Sequence, residues 1–323
     1  MFTLAELERA RELVGRLMPS TPQYAWPLLH KRVGAEVWLK HENHTPIGAF
    51  KLRGGLVYLD ALCSRELPVN GLITATRGNH GQSIPYAASH YGLSVTVLVP
   101  DGNSVEKNNA MMAWGAKLIV HGDDFDEASI EAGRLAERDG LEFVPAFHPA
   151  LVCGVATYAY EFLSACDDLD TVYVPIGMGS GICGLITTRD LLGLKTEIVG
   201  VVSTHAAAYA LSFEHGRVVE TETANTFADG MACRVPSPDA LEVICRGAAR
   251  IVSVSDDEVA EAMRAIYADT HNIAEGAGAA AFAALLKERE RLPGCKVGAV
   301  LTGGNIDTRL FARVLQGETP RVS

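Results

Sequence analysis

The stretch Thr45-Pro46-Ile47-Gly48-Ala49-Phe50-Lys51-Leu52-Arg53-Gly54-Gly55 sets a lysine among small and aromatic residues, just after a β-like run, Val37-Trp38-Leu39-Lys40. Gly48 and Ala49 allow a backbone or a flat ligand to come close. Phe50 puts an apolar face beside the amine, and desolvation lowers a lysine pKa. A partly neutral amine near pH 7 is what a Schiff-base nucleophile needs. Taken alone, a lysine is more often a solvated surface charge. Three further loops change that balance.

The second loop, Thr74-Ala75-Thr76-Arg77-Gly78-Asn79-His80-Gly81-Gln82-Ser83, lies between a strand pattern and a helix pattern. Thr76, Asn79, His80 and Gln82 offer hydroxyl, amide and imidazole groups, and a first helical turn offers free N–H donors. That suits a carboxylate or a phosphate; a helix cap with a glycine turn has the same local look. The third, Pro175-Ile176-Gly177-Met178-Gly179-Ser180-Gly181-Ile182-Cys183-Gly184, has glycines at alternate positions, so that amides can converge on a phosphate at a helix start. It would also serve a nicotinamide dinucleotide, but that fingerprint belongs in the first βαβ unit. No acidic residue closes a following strand at the usual interval, since Glu197 opens its strand. The fourth, Leu301-Thr302-Gly303-Gly304-Asn305, can present a hydroxyl to a flat ring, or be a plain strand-to-helix turn.

These loops need a scaffold, and the hydrophobic pattern supplies one. Apolar, β-branched runs at 36–40, 72–75, 94–99, 117–121, 171–176, 197–202, 250–254 and 296–301 read as strands. Helical patterns occupy 1–18, 52–64, 80–91, 104–114, 124–139, 150–166, 181–192, 255–270, 276–291 and 306–315. The early spacing is that of βαβ units, which predicts an α/β fold with parallel sheets. Runs such as Val95-Thr96-Val97-Leu98-Val99 are apolar on both faces, as buried parallel strands are. Segment 203–240 lacks periodicity and reads as a long surface connection. Ligands of such sheets gather at the carboxyl ends of the strands, where the four loops fall.

Composition narrows the function classes. The chain of 323 residues has net charge −11 and 48% hydrophobic residues, enough for a full core in two domains or one large α/β unit. The acidic balance, with no basic run, argues against nucleic-acid or anionic-membrane binding. No signal peptide and no bilayer-spanning apolar run is evident. Seven scattered cysteines without a C-x-x-C pair fit reduced thiols in a cytoplasm better than a disulfide framework or a zinc site.

Taken jointly and in order, Gly-Ala-Phe-Lys-Leu-Arg-Gly, Gly-Asn-His-Gly-Gln, the glycine loop and the terminal Thr-Gly-Gly-Asn are specific. The chain resembles the fold-type II pyridoxal-phosphate enzymes, most closely the threonine/serine dehydratase and serine racemase family. The resemblance also takes in Lys40-His41-Glu42-Asn43 and Glu275-Gly276-Ala277-Gly278. It implies two parallel-sheet domains with the cofactor in the cleft between them, residues 1–45 with 146–323 forming the large domain and 46–145 the small one. It implies that Lys51 carries pyridoxal 5′-phosphate with Phe50 beside it, that Asn79 bonds the ring's phenolic oxygen, and that Thr302 meets the pyridine nitrogen. Gly177, Met178, Gly179, Ser180 and Gly181 would receive the phosphate, and Glu275 would stand near the cofactor. Thr76, Arg77, Gly78, Asn79 and His80 would line the substrate side. The implied reaction is α,β-elimination on a 3-hydroxy L-amino acid of the threonine or serine type. Lys51 removes the α-proton, the β-hydroxyl leaves, and a 2-oxo acid and ammonia result. A homodimer in the cytoplasm is the implied assembly.

Three departures from the family pattern bear on this. Thr76-Arg77-Gly78-Asn79-His80 stands where Ser-Ser-Gly-Asn-His or Ser-Ala-Gly-Asn-His is usual. In racemases the second position is the serine that reprotonates the opposite face, and arginine is a poor acid at neutral pH. Its fork suits an anion instead: the cofactor phosphate, the substrate carboxylate, or a second carboxylate as in 3-hydroxyaspartate; a guanidinium pointing into solvent is the other reading. Met178 and Ser180 interrupt the usual run of glycines. No Asp or Glu lies between Val202 and Ala208, where racemase-like members keep metal ligands, so no metal is expected. The chain stops soon after its last helix, without the regulatory C-terminal domain of biosynthetic threonine deaminases. Specialisation for 3-hydroxyaspartate or 3-phenylserine, or amino-acid racemisation, stands as the alternative activity. More distant readings are β-replacement, as in cysteine synthase relatives, and a non-catalytic or dinucleotide-binding α/β protein.

Overall fold

A computed structural model describes residues 1–166 and 168–321. Ten strands form two sheets. They are β1 (Gln23–Ala25), β2 (Glu36–His41), β3 (Leu72–Ala75), β4 (Val95–Val99), β5 (Lys117–Val120), β6 (Glu142–Phe143), β7 (Thr171–Pro175), β8 (Glu197–Ser203), β9 (Arg250–Val254) and β10 (Lys296–Leu301). The larger sheet has the order β1-β2-β10-β7-β8-β9 and the smaller β5-β4-β3-β6. Every pairing is parallel except that of β1 with β2. Helices connect the parallel strands and cover them, so that Val172, Tyr173, Val174, Val199 and Val201 are fully buried.

All eight expected strands are present, and the chain carries two more. Gln23-Tyr24-Ala25 and Glu142-Phe143 are too short to show a period of two. They exist because β1 finds β2, with Gln23 opposite Lys40, and β6 finds β3. The expectation for 203–240 needs correcting. Helix Ala208–His215 lies within it and helix Pro238–Gly247 begins there. Ala208, Tyr209, Phe227, Ala228 and Met231 are buried. The segment lacks periodicity because it folds against loop backbone at the cleft rather than laying one face on a sheet. Helix Pro27–Val33, seven residues begun by its proline, was also invisible to periodicity. The helix expected at 276–291 gives way after Glu288 to a short 3₁₀ turn, Arg289–Arg291.

Helix Lys51–Cys63 and helix Pro149–Ala165 run in close contact, one from each side of the junction between the sheets. A Cβ on Gly154 would lie 2.2 Å from the Arg53 carbonyl oxygen, so only glycine permits this approach. Beneath it Arg53, fully buried, donates to Glu42 at 2.8 and 3.0 Å and to Glu161 at 2.8 and 2.9 Å. Lys40 closes the cluster by donating to Glu161 at 2.6 Å. Two cations and two carboxylates thus tie the helix that starts at Lys51 to β2 and to its neighbour helix.

Candidate active site

Lys51 is the first residue of its helix, and the helix begins where the chain leaves an antiparallel bridge between Ala49 and Gly303. The Phe50 amide donates to the Thr302 carbonyl at 3.0 Å, and Gly304 donates to the Gly48 carbonyl at 3.0 Å. The lysine loop and the terminal Thr-Gly-Gly loop are therefore laced together backbone to backbone. Asn305 extends the lacing by donating to the Ile47 carbonyl at 2.8 Å and to Asn79 Oδ1 at 2.9 Å. Asn79 in turn donates to Glu275 Oε1 at 2.6 Å. From the other side, Lys51 Nζ lies 3.4 Å from Ser180 Oγ and 5.1 Å from the centre of the Phe50 ring.

All four loops thus converge on one cleft of about 900 Å³ including its mouth, at the carboxyl ends of β3, β7 and β10. Each residue singled out in the sequence for cofactor or substrate lines it: Lys51 and Phe50, the run Thr76 to His80, the run Gly177 to Gly181, Glu275 and Thr302. Burial lowers the Lys51 pKa to about 8. His80 is pushed down to about 3, by burial first and by the nearby Lys51 charge second, so its ring is neutral at ordinary pH. Its Nε2 is buried without a partner among the described residues. The Thr76 hydroxyl accepts from the Gly78 and Gly81 amides at 2.9 and 3.3 Å, which shapes the loop and leaves its own proton to donate.

The glycine loop is held from behind by the segment that sequence reading had put on the surface. Tyr209 donates to the Met178 carbonyl at 3.0 Å and receives the Ser237 amide at 3.0 Å. Gly179 is left-handed at φ +96°, and helix Ser180–Leu191 starts after it with no side-chain cap. Its first amides therefore point into the cleft as free donors.

Lys107 and Asp229 also line the cleft and escaped the sequence reading. Lys107 Nζ bonds Asp229 at 2.6 Å and Glu275 at 3.1 Å. Burial works against its charge, but the two carboxylates outweigh it and hold the ammonium well above the usual lysine range. Nothing local marks this lysine, which follows an ordinary Ser104 helix cap; only the approach of Asp229 and Glu275 from the other sheet's side gives it a role.

The residues fit pyridoxal phosphate on four observations: a buried amine of lowered pKa, an uncapped helix start behind glycines, an amide with one N–H still free at Asn79, and a Thr302 hydroxyl without a partner among the described residues. Fold and site together define a fold-type II enzyme of that cofactor. The chain belongs to the family described as "Pyridoxal-phosphate dependent enzyme", whose profile matches residues 16–303. It is 30% identical to the L-threonine ammonia-lyase of Thermotoga maritima over 98% of this chain and 78% of that protein. It is also 30% identical to the catabolic L-threonine dehydratase of Escherichia coli K12, over 95% of this chain and 94% of that one. The processed form of threonine deaminase isoform 2 from Solanum lycopersicum superposes with a TM-score of 0.88 at 28% identity, covering 98% of this chain and 94% of that one.

Proposed function

We propose that the protein is a pyridoxal-phosphate-dependent ammonia-lyase that converts a 3-hydroxy L-amino acid to a 2-oxo acid and ammonia. The observation that carries this is the Lys51 amine, of lowered pKa, set beside the uncapped start of helix Ser180–Leu191 and facing a hydroxyl, not a carboxylate, at Thr302. The threonine ammonia-lyase and dehydratase relatives support the same reaction. Gly177, Met178, Gly179, Ser180 and Gly181 would hold the phosphate through the free helix amides and the Ser180 hydroxyl, and Phe50 would pack beside the ring. Asn79, kept in place by Glu275 and Asn305, would bond the ring oxygen, and Thr302 the ring nitrogen. When bound, the cofactor supplies an electron sink for negative charge at the substrate α-carbon.

The chain's own groups do the rest. Lys51 Nζ, neutral in part near pH 7, takes the α-proton. Thr76, Gly78, Asn79 and His80, at the start of helix Asn79–Ser89 where Thr76 caps only the Gly81 amide, take the α-carboxylate. His80 stays neutral there, so it hydrogen-bonds without adding charge. Arg77 in the loop lacks a usable acid for the face opposite Lys51, which favours elimination over racemisation. The division of strands between the two sheets supports a reading in two units, 1–45 with 146–323 and 46–145. Residue Lys107 reaching Asp229 and Glu275 spans the cleft between them.

Among the described residues no two cysteines are joined in a disulfide, and no helix is long and apolar enough to cross a membrane. Thiols left out of disulfides support a cytoplasmic enzyme, and the family resemblance a homodimer, which light scattering on the eluting protein would measure. The functional test is a panel of 3-hydroxy amino acids assayed for 2-oxo acid and ammonia, run on wild type and Lys51→Ala. Wild type should release both products in equal amounts. Lys51→Ala should show neither turnover nor a visible chromophore bleached by borohydride; turnover at the wild-type rate in that variant would overturn the assignment.

A further inference from the structure

The loop that follows β3 presents Arg77 to the cleft. Arg77 is half-buried, and among the described residues its guanidinium has no hydrogen-bond or ion-pair partner. The other cations around the cleft are accounted for. Lys107 is bound by Asp229 and Glu275. Arg234 is bound by Asp124 at 3.0 Å and Asp126 at 2.5 Å. Lys51 is committed to the cofactor. Within Ala75–His80, Arg77 alone also lines a second chamber that opens off the cleft past Phe125, Met178 and Cys233. Its side chain therefore stands at the junction of the two chambers, while the amides of the helix start that would hold an α-carboxylate line the main cleft only.

We infer that the substrate is a dicarboxylic 3-hydroxy amino acid, whose α-carboxylate sits on the Thr76–His80 loop and whose second carboxylate is bound by Arg77. The inference rests on the ammonia-lyase reading and names its substrate class. A side chain such as that of threonine leaves a half-desolvated guanidinium without a counter-charge, which costs free energy that a carboxylate recovers as a forked, charge-assisted pair. The far wall of the second chamber carries Asp124, Asp126 and Glu222. Arg234 offsets one of the two aspartate charges and Glu222 is exposed, so that wall stays net negative and confines a substrate carboxylate to the Arg77 end of the chamber. The reaction balances as in the neutral case. The α-proton and the 3-hydroxyl leave as water, and hydrolysis of the resulting enamine takes that water back and releases ammonia, leaving the 2-oxo diacid.

The test uses holoenzyme, wild type and Arg77→Gln, with two readouts. The first is binding of L-aspartate and L-alanine, which lack the 3-hydroxyl and so report binding without elimination, followed by the shift in cofactor absorbance. The second is kcat/KM for 3-hydroxyaspartate against L-threonine. Wild type should bind aspartate at least about tenfold more tightly than alanine and favour the diacid by a similar ratio. Arg77→Gln should collapse both ratios, chiefly through KM, and Arg77→Lys should restore them in part. Equal binding of aspartate and alanine by wild type would overturn the inference. So would an equal loss on both ligands in Arg77→Gln accompanied by weaker cofactor binding, which would place the guanidinium on the phosphate. Tight aspartate binding with no product from any 3-hydroxy acid would leave the Arg77 assignment standing and refute the ammonia-lyase reading.

Discussion

Lys51 reports on itself through pH. In the cofactor-free protein its folded-state pKa of about 8 lies below the ordinary 10.5, so the unfolded chain holds the proton more tightly. Below pH 8 the folded state carries the full cost of a desolvated ammonium. Between pH 8 and 10.5 the folded amine is already neutral while the unfolded one is still charged, and stability rises with pH. Replacing Lys51 by Met should therefore stabilise the apoprotein below pH 8, by at most about 3 kcal/mol, and the advantage should shrink to nothing by about pH 10.5. Denaturant titrations of both proteins across that range check the sign; a gain independent of pH would mean that packing, not charge, is responsible.

The elements act by presenting backbone. The turn Gly177–Gly179 brings a strand end to a helix start, and it is pressed against the chain at Asp229–Met231. A Cβ on Gly177 would stand 2.2 Å from the Gly230 carbonyl oxygen, so Gly177→Ala must push these two segments apart. Overpacking of this kind costs about 1–3 kcal/mol. If it is felt where the phosphate binds, cofactor affinity should fall about tenfold to a hundredfold, with far-UV circular dichroism unchanged. Absorbance titration with pyridoxal phosphate measures this, and unaltered affinity would show that the turn accommodates the methyl without moving its amides.

At the scale of the whole molecule, what holds the lysine helix in place is the buried cluster of Arg53, Glu42, Glu161 and Lys40. Burial alone would raise the Glu161 pKa, yet hydrogen bonds and charge from Arg53, with Lys40 adding to them, bring it below the ordinary carboxylate range. Arg53→Met leaves two carboxylates against one lysine, and breaking a buried pair in this way should cost about 3–5 kcal/mol. The urea midpoint should drop accordingly, whereas Arg53→Lys should recover part of the loss. Metal is expected to play no part in this architecture. Among the described residues no group of three or more His, Cys, Asp or Glu is placed to hold an ion, and β8 leads into Thr204 and His205 without a carboxylate. Removal of divalent ions with a chelator should leave turnover and melting temperature unchanged; a loss restored by magnesium would reveal ligands from the backbone.

The parts of this protein that repeat along the chain were legible without coordinates. Strands such as Val95–Val99 declare themselves as short apolar, β-branched runs buried on both faces, and helices such as Phe125–Asp139 through the 3.6 period that one-sided burial imposes. The four loops declared themselves through residue types that few backbones need, a lysine after Gly-Ala-Phe and glycines ahead of a helix. What stayed hidden has no local period. The two-residue strand Glu142–Phe143 is made by its neighbour, and the segment around Asp229 takes its shape from the glycine loop it supports. The pairing of Lys107 with Glu275 joins residues far apart in the chain, and a charge carries no sign of whether it will be solvated or buried. Arg77 shows the division most clearly. Its chemistry follows from the side chain alone, but only the fold decides that, among the described residues, its guanidinium lies without a partner where the two chambers meet, because that depends on the neighbouring carboxylates being taken up by Lys107 and Arg234.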